Sequence, residues 1–510
     1  MELNLQRQPI TVNEVVYDGF AEQPIECDAQ LPDYCPDIVK ILKCTVSTAV
    51  AGSAVSGDRL SIEGMATAHV YYAGEGGNIR HADYKIPFQK AVELRLATND
   101  PVVSVLPSVD YVNCRAVNQR RIDIRGAITF KVKVTDQKQE EVISDATGGG
   151  VQLRREMIPV TDMIGQHESG FTVSEELDLG YGKSPMGTII RSDSRVNVQD
   201  FKVIAGKIVC KADFMLHICY QPVEPAAPLE VMEYTLPLSQ IIDAEGVDDG
   251  CLCDVEMFVQ SCDARPAQDG DGEYRRLSLD AAIKAVVASH RHREVPVASD
   301  CYSTKYESGC KRRRVNFLRL CEQLRETMMH KASLDLPEGV KTVLDAWCEV
   351  ENLGWKYEKP NLNLSLRLVV SMFAQMEDGE CRYFEQSEEM ERQVALQHDC
   401  DSILFEPTAD ILSCAYNIAG GEKIDIRCEV LLKGCVHCSI GCDALSEIAV
   451  DETQPKPKEQ NKLYLYYADE GESVWNIAKQ YNTAAGAIWE ENNVEQDVLP
   501  QRAMLLIPIV

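Results

Sequence analysis

The sequence predicts a mainly β protein: three repeated β-rich domains followed by one small α/β module of order strand, helix, helix, strand. Three observations carry this. A run of alternating apolar residues recurs three times at nearly constant spacing. A second short element recurs downstream of it, and the last fifty residues switch from strand to helix periodicity and back. Alternation with period 2 buries one face of a strand, whereas period 3.6 buries one stripe of a helix.

The alternating run first appears as Leu60, Ile62, Gly64, Ala66, Ala68, Val70 and Tyr72. It returns 148 residues later as Ile208, Cys210, Ala212, Phe214, Leu216, Ile218 and Tyr220, and after a further 154 as Leu362, Leu364, Leu366, Leu368, Val370, Met372 and Ala374. Ile122-Asp-Ile-Arg125 reappears as Ile424-Asp-Ile-Arg427, with Leu277-Ser-Leu-Asp280 as a looser copy between them. Several features repeating together mark a repeated fold, and about 150 residues is enough for each copy to own a core. The organisation read from this is a lead at 1–26, β units at 27–180, 181–334 and 335–450, a flexible linker at 451–461 and the module at 462–510. The first unit opens with Cys27-Asp-Ala-Gln-Leu-Pro-Asp-Tyr-Cys-Pro36, whose prolines favour turns.

Between the second and third units, Val315, Leu318, Cys321, Leu324 and Met328 fall at helical spacing in a stretch without proline or glycine. The pattern predicts an amphipathic helix over 311–331 that ends the second unit. The stretch Asp451 to Asn461 offers no apolar anchor and two prolines, which predicts a tether.

With 51 basic and 80 acidic residues, the chain carries a formal charge of −29. That charge disfavours nucleic acid and anionic lipid as partners. No run of apolar residues is long enough for a transmembrane segment, and the N-terminal residues lack the pattern of a secretory signal, which points to a cytoplasmic protein. In that setting the twenty cysteines read as reduced, buried small hydrophobes.

Signals for chemistry are thin. Cys435-Val-His-Cys438, with Cys442 and Cys428 nearby, has zinc-ligand types, yet Cys428, Val430 and Leu432 alternate as a strand does, so these are read as structural thiols and no metal is assigned. His290 and His292 share one side of a strand and are read as surface residues. Phosphate-loop, dinucleotide, nucleophile-elbow and zinc-helix patterns do not occur, so no catalytic residue, no cofactor and no enzymatic activity are assigned.

The tail runs as a strand from Lys462 to Ala468, passes through Gly471-Glu472-Ser473, and becomes helical at Val474, Ile477, Ala478 and Tyr481. A second helix is read after Thr483 as its cap, with Ile488 and Trp489 on its apolar side. These residues, with Asn492-Asn493 and Ile507-Pro508, resemble the LysM module. Three β units of the SPOCS type, an acidic linker and a LysM module together resemble the SipL-type spore coat morphogenetic proteins. The Cys27-to-Leu42 block and the strands ending near Tyr72 and Tyr220 carry the SPOCS part of the resemblance.

The resemblance implies a non-enzymatic scaffold in endospore coat assembly, in the mother-cell cytoplasm at the forespore surface. Its LysM groove would lie between Asp469, Glu470, Gly471, Glu472 and Ser473 on one side and Asn492, Asn493 and Val494 on the other. The implied partners are a basal-layer coat protein, a morphogenetic ATPase, or alternatively an N-acetylglucosamine-containing glycan such as peptidoglycan. Arg502-Ala503 stands where the LysM pattern has Gly-Gln. Glu490 and Glu491 add negative charge beside the second wall, which steers a basic protein surface more than a neutral sugar.

Overall fold

Each of the three units is built from two antiparallel sheets, a short meander and a long-stranded sheet that frames it. In the computed structural model, residues 3–98, 101–224, 227–398, 400–419, 422–457 and 463–509 are described. Strands account for 78% of the residues and helices for 3%, which makes the protein mainly β.

The first unit contains β1 (Asn4–Gln30), β2 (Ile38–Ser56), β3 (Arg59–Gly74), β4 (Ile79–Glu93), β5 (Pro101–Asn118) and β6 (Arg121–Thr147). The second repeats them as β7 (Val151–Asp178), β8 (Met186–Ile204), β9 (Lys207–Pro222), β10 (Glu230–Asp243), β11 (Leu252–Ala267) and β12 (Arg276–Ser303). The third has β13 (Tyr306–Asp335), β14 (Val340–Glu358), β15 (Asn361–Met376), β16 (Cys381–Ala395), a divided fifth strand β17 (Ile403–Phe405) and β18 (Thr408–Ala419), and β19 (Lys423–Pro455). The meanders run β2-β3-β4, β8-β9-β10 and β14-β15-β16, and the long sheets run β1-β6-β5, β7-β12-β11 and β13-β19-β17, with β18 also on β19.

The repeated alternating runs are the central strands β3, β9 and β15. Ile62, Phe214 and Leu368 are fully buried there, because a central strand has its apolar face covered by the long sheet. Tyr72 and Tyr220 close the first two runs, their hydroxyls donating to the carbonyls of Pro36 and Ser184 at 3.2 and 3.0 Å.

The three units close into a ring with pseudo-threefold symmetry. At one end of the axis, Ile10, Ile158 and Val315 pack with Val142, Val297 and Ala444, residues at equivalent positions of the three long sheets. Ile143, Ala298 and Leu445 form a further layer. At the other end Tyr71, Ile190, Trp347 and Phe373 join the meanders. Ion pairs close the circuit between the first and third units: Lys43 to Glu385 at 2.7 Å, Lys133 to Glu406 at 2.9 Å and Arg313 to Glu140 at 2.9 Å.

Four sequence expectations change. The helix predicted over 311–331 is instead the middle of β13. Its register against β19 slips between Leu320 and Glu322, leaving Cys321 as the extra residue of a β-bulge. Val315, Phe317 and Leu320 are buried before the bulge and Leu324 and Met328 after it, so the broken alternation along this strand imitates helical spacing. Residues 4–26, read as a lead, belong to β1 and pair with β6 from Thr147 back to Arg125. Of the predicted flexible linker, 451–455 extend β19 and 458–461 lie outside the described residues. Thr483 does not cap the second tail helix. Ala484 holds the N-cap position without a side-chain bond, while the Thr483 hydroxyl donates to the Pro508 carbonyl.

Candidate functional site

The tail forms β20 (Leu463–Ala468), α1 (Val474–Gln480), α2 (Ala485–Asn492) and β21 (Ala503–Pro508), in the order the sequence predicts. It has its own core of Val474, Ile477, Ala478, Ile488, Leu505 and Ile507, and Tyr302 of β12 enters that core.

The tail is docked on the ring. Asp300 of β12 accepts from Trp475 Nε1 at 2.8 Å, from Lys479 Nζ at 3.0 Å and from Arg312 at 2.7 Å. Burial alone would raise the Asp300 carboxyl, but the bonds from Trp475 and Lys479 outweigh it and hold it below its ordinary value. The Tyr302 hydroxyl donates to the Thr483 carbonyl at 2.6 Å, and its ring meets Trp475 edge-on at 4.9 Å. Arg154 of β7 reaches Asp497 at 3.1 Å. Trp475 is thus a docking residue as well as a core one.

The predicted groove residues divide by role. Gly471 N donates to Leu499 O and Leu499 N to Glu472 O, both at 2.9 Å, and Ser473 Oγ donates to Asp497 at 3.0 Å. Glu472 accepts from Asp469 N at 2.9 Å and from the Tyr466 hydroxyl at 3.1 Å. Gly471 has φ of 87°, which a side chain resists. The first wall is therefore a turn pinned to residues 497–499, with Asp469, Glu470 and Gly471 exposed. Asp469 pairs with Arg502 at 2.8 Å.

In the second wall, the Asn492 amide is consumed internally. Its Nδ2 donates to Ile488 O and Leu506 O at 2.8 and 2.7 Å, and its Oδ1 accepts from Leu506 N at 2.7 Å, clamping α2 to β21. Asn493 adopts the left-handed conformation that ends α2, and Val494 packs on the module core. Glu490, Glu491 and Glu495 are exposed.

A second concave feature lies on the ring axis. A cavity of about 670 Å³ is lined by equivalent strands of all three units, through residues such as Val50, Val105, Arg195, Met257, Trp347 and Ile411. Sequence reasoning missed it, since it arises only when the units close on one another. Its Lys433 is matched by carboxylates, whereas its arginines Arg195 and Arg325 donate to neutral oxygens. Lys433 sits 2.9 Å from Asp410 and 3.1 Å from Glu256, and Arg325 donates to Asn197 at 3.1 Å. Behind the wall, the fully buried Asp345 accepts from Arg191 at 2.7 Å.

The thiols regroup relative to the sequence reading. Cys435 turns to Asp254 at 3.7 Å, Cys442 joins the axial core, and Cys428 lies 3.5 Å from Cys414 beside Cys348. Cys438 instead meets Cys321 and Cys400. A third convergent group, His69, His81 and Asp83, is held by two 2.6 Å contacts from the imidazoles to one carboxylate oxygen. His290, read as a surface residue, is partly buried with its ring 5.9 Å from that of His437. The basic run 311–314 is exposed but paired: Lys311 with Glu447 at 2.7 Å, Arg312 with Asp300, Arg313 with Glu140 and Arg314 with Asp443 at 3.4 Å.

These features define a β-repeat protein whose concave surfaces and docked module suit binding. Residues 37–117 and 185–266 match the family described as SipL, SPOCS domain. These two segments are similar to the SPOCS domain of that family and cover the meander and fifth strand of the first and second units. The matched family suggests a sporulation-related coat role and is not a known enzyme family. No curated protein and no solved structure matches the chain. Among the described residues, no helix is long and apolar enough to cross a membrane.

Proposed function

We propose that the protein is a non-enzymatic scaffold of endospore coat assembly, acting at the forespore surface, whose C-terminal LysM module docks a basal-layer coat ATPase while the β units hold the module in a fixed orientation. The observation that carries this is the mode of attachment. Asp300, Tyr302 and Arg154 fasten the module to the ring through one side, and the exposed remainder presents Asp469, Glu470, Glu490, Glu491 and Glu495. An acidic face of this kind speeds encounter with a basic protein surface and gives a neutral sugar little. The Asn492 amide, expected to help form a glycan-binding wall, has its donors and acceptor engaged within the module.

The test uses the full chain and a purified basal-layer coat ATPase. Reversing Glu490→Lys and Glu491→Lys together slows association in a salt-dependent manner and leaves the melting temperature unchanged. Saturation of the wild-type chain by N-acetylglucosamine oligomers, without ATPase binding, would transfer the function to glycan recognition.

A further inference from the structure

Three thiols from separate segments meet at one point of the third unit. Cys321 is the extra residue of the β13 bulge, Cys438 lies on β19 opposite Ile403 of β17, and Cys400 lies in the turn before β17. The Cys438 sulfur touches both others, the Cys321 and Cys400 sulfurs are 3.9 Å apart, and their Cα atoms stand 6.1 and 5.6 Å from that of Cys438. Cys400 and Cys438 are buried.

The repeats supply the control. The register of the long sheet slips at the same place in every unit, so the residue equivalent to Cys321 is Val16 in the first and Ile164 in the second. Both are apolar and pack on their unit's core. The position equivalent to Cys438 is Asp136 in the first unit and Arg291 in the second, where the guanidinium lies 3.3 Å from Cys251 and 2.6 Å from Asp248. The fold therefore asks for an aliphatic plug at the bulge, not a thiol. Only the third unit brings three sulfurs together there, among the described residues.

We propose that Cys321, Cys400 and Cys438 form a thiolate site for a soft divalent metal of the zinc class. One sulfur makes only one disulfide, so any disulfide among these residues leaves a third thiol beside it, whereas a single ion engages all three. Thiolates about 2.3 Å from a tetrahedral zinc stand about 3.8 Å from each other, close to the separation of Cys321 and Cys400. Three sulfur donors select zinc over magnesium or calcium, which take oxygen ligands. Binding releases the three thiol protons, and the fourth position is left to water. The ion staples β13, β19 and the turn before β17.

The test is metal content of the full-length chain purified with zinc present. One zinc per chain is expected in the wild type and in Cys435→Ser, falling to near zero in Cys400→Ser and Cys438→Ser. Cobalt in place of zinc gives thiolate-to-metal charge-transfer absorption in the wild type, a readout that needs no variant to fold. The proposal is overturned if the wild type purified with zinc present carries none, whether thiol titration in denaturant finds all twenty cysteines or two fewer, or if zinc content is indifferent to Cys438→Ser.

Discussion

Replacing Arg191 by leucine tests how the second and third units are joined. The guanidinium is 3% exposed and Asp345 is 0% exposed, and their 2.7 Å contact crosses from β8 to β14. Arg191 also touches Asp193 and lies 4.3 Å over the Trp347 ring. In the wild type, burial would raise the Asp345 carboxyl, but Arg191 and His217 outweigh it and hold it below the usual carboxylate value. Its contribution is complete above the unfolded value of about 4 and disappears only as pH falls through the lower folded value. In Arg191→Leu the anion keeps only His217, at 3.4 Å, and the least costly relief is protonation. Protonating a carboxyl of pKa about 3.9 at pH 7 costs about 4 kcal/mol, and loss of the ring contact adds about 1 kcal/mol. At pH 5 the protonation cost falls to about 1.5 kcal/mol. The sign is opposite to that of the wild-type group: the variant binds the proton more tightly when folded, so its deficit shrinks as pH drops. Urea unfolding followed by tryptophan fluorescence at pH 7 and pH 5 reads both values. The double variant Arg191→Leu with Asp345→Leu recovers most of the loss, because a well-packed apolar pair replaces a buried ionic one at little cost. A deficit equal at the two pH values, or below about 1 kcal/mol at pH 7, would refute the reasoning.

Further outcomes follow from single contacts. Phe214→Ala empties a fully buried site in the central strand of the second unit and should cost about 3–5 kcal/mol, read from the urea midpoint. Gly64→Ala drives a methyl group into the Ala49 carbonyl and the Phe88 ring, a close approach that should cost about 1–3 kcal/mol and lower the melting temperature. Asp300→Ala removes the shared acceptor of Trp475, Lys479 and Arg312. Hydrogen exchange of α1 should accelerate while that of β3, β9 and β15 stays unchanged.

The central strands were legible because they are covered on their apolar face and carry a strict period of two. Leu60, Ile208 and Leu362 keep the same phase, and all three are fully buried. The strand that was missed, β13, fails the same criterion for a local reason. Its alternation breaks midway, beside the bulge at Cys321, and the basic run before it carries little apolar pattern. Groove residues were legible as a turn, since Gly471 and Ser473 are punctuation, but Asn492 was not legible as a clamp because its partners lie on α2 and β21. The axial cavity and the Cys321 site depend on segments far apart in the chain, and pairing at that range leaves no local signal. Cys321, Cys400 and Cys438 are each unremarkable in their own neighbourhoods.

Ring closure changes what the repeats mean. In a linear array, removing the third unit would expose one interface. Here it would uncover the Ile10, Val142, Ile158 and Val297 layer at one end and the Tyr71 and Ile190 contacts at the other, and would leave Lys43, Lys133 and Glu140 without their partners. Apolar surface shared by three units ties the stability of each to the presence of the other two, so the units should unfold together. The module then rests on a body whose parts cannot reorient singly. Its attachment points, Arg154 on β7, Asp300 and Tyr302 on β12 and Arg312 on β13, all come from long-sheet strands that also build the axial layers. Under the proposed function, a partner docked on the acidic face of the module would be held at a set distance and angle from the ring, which is the mechanical requirement of a scaffold.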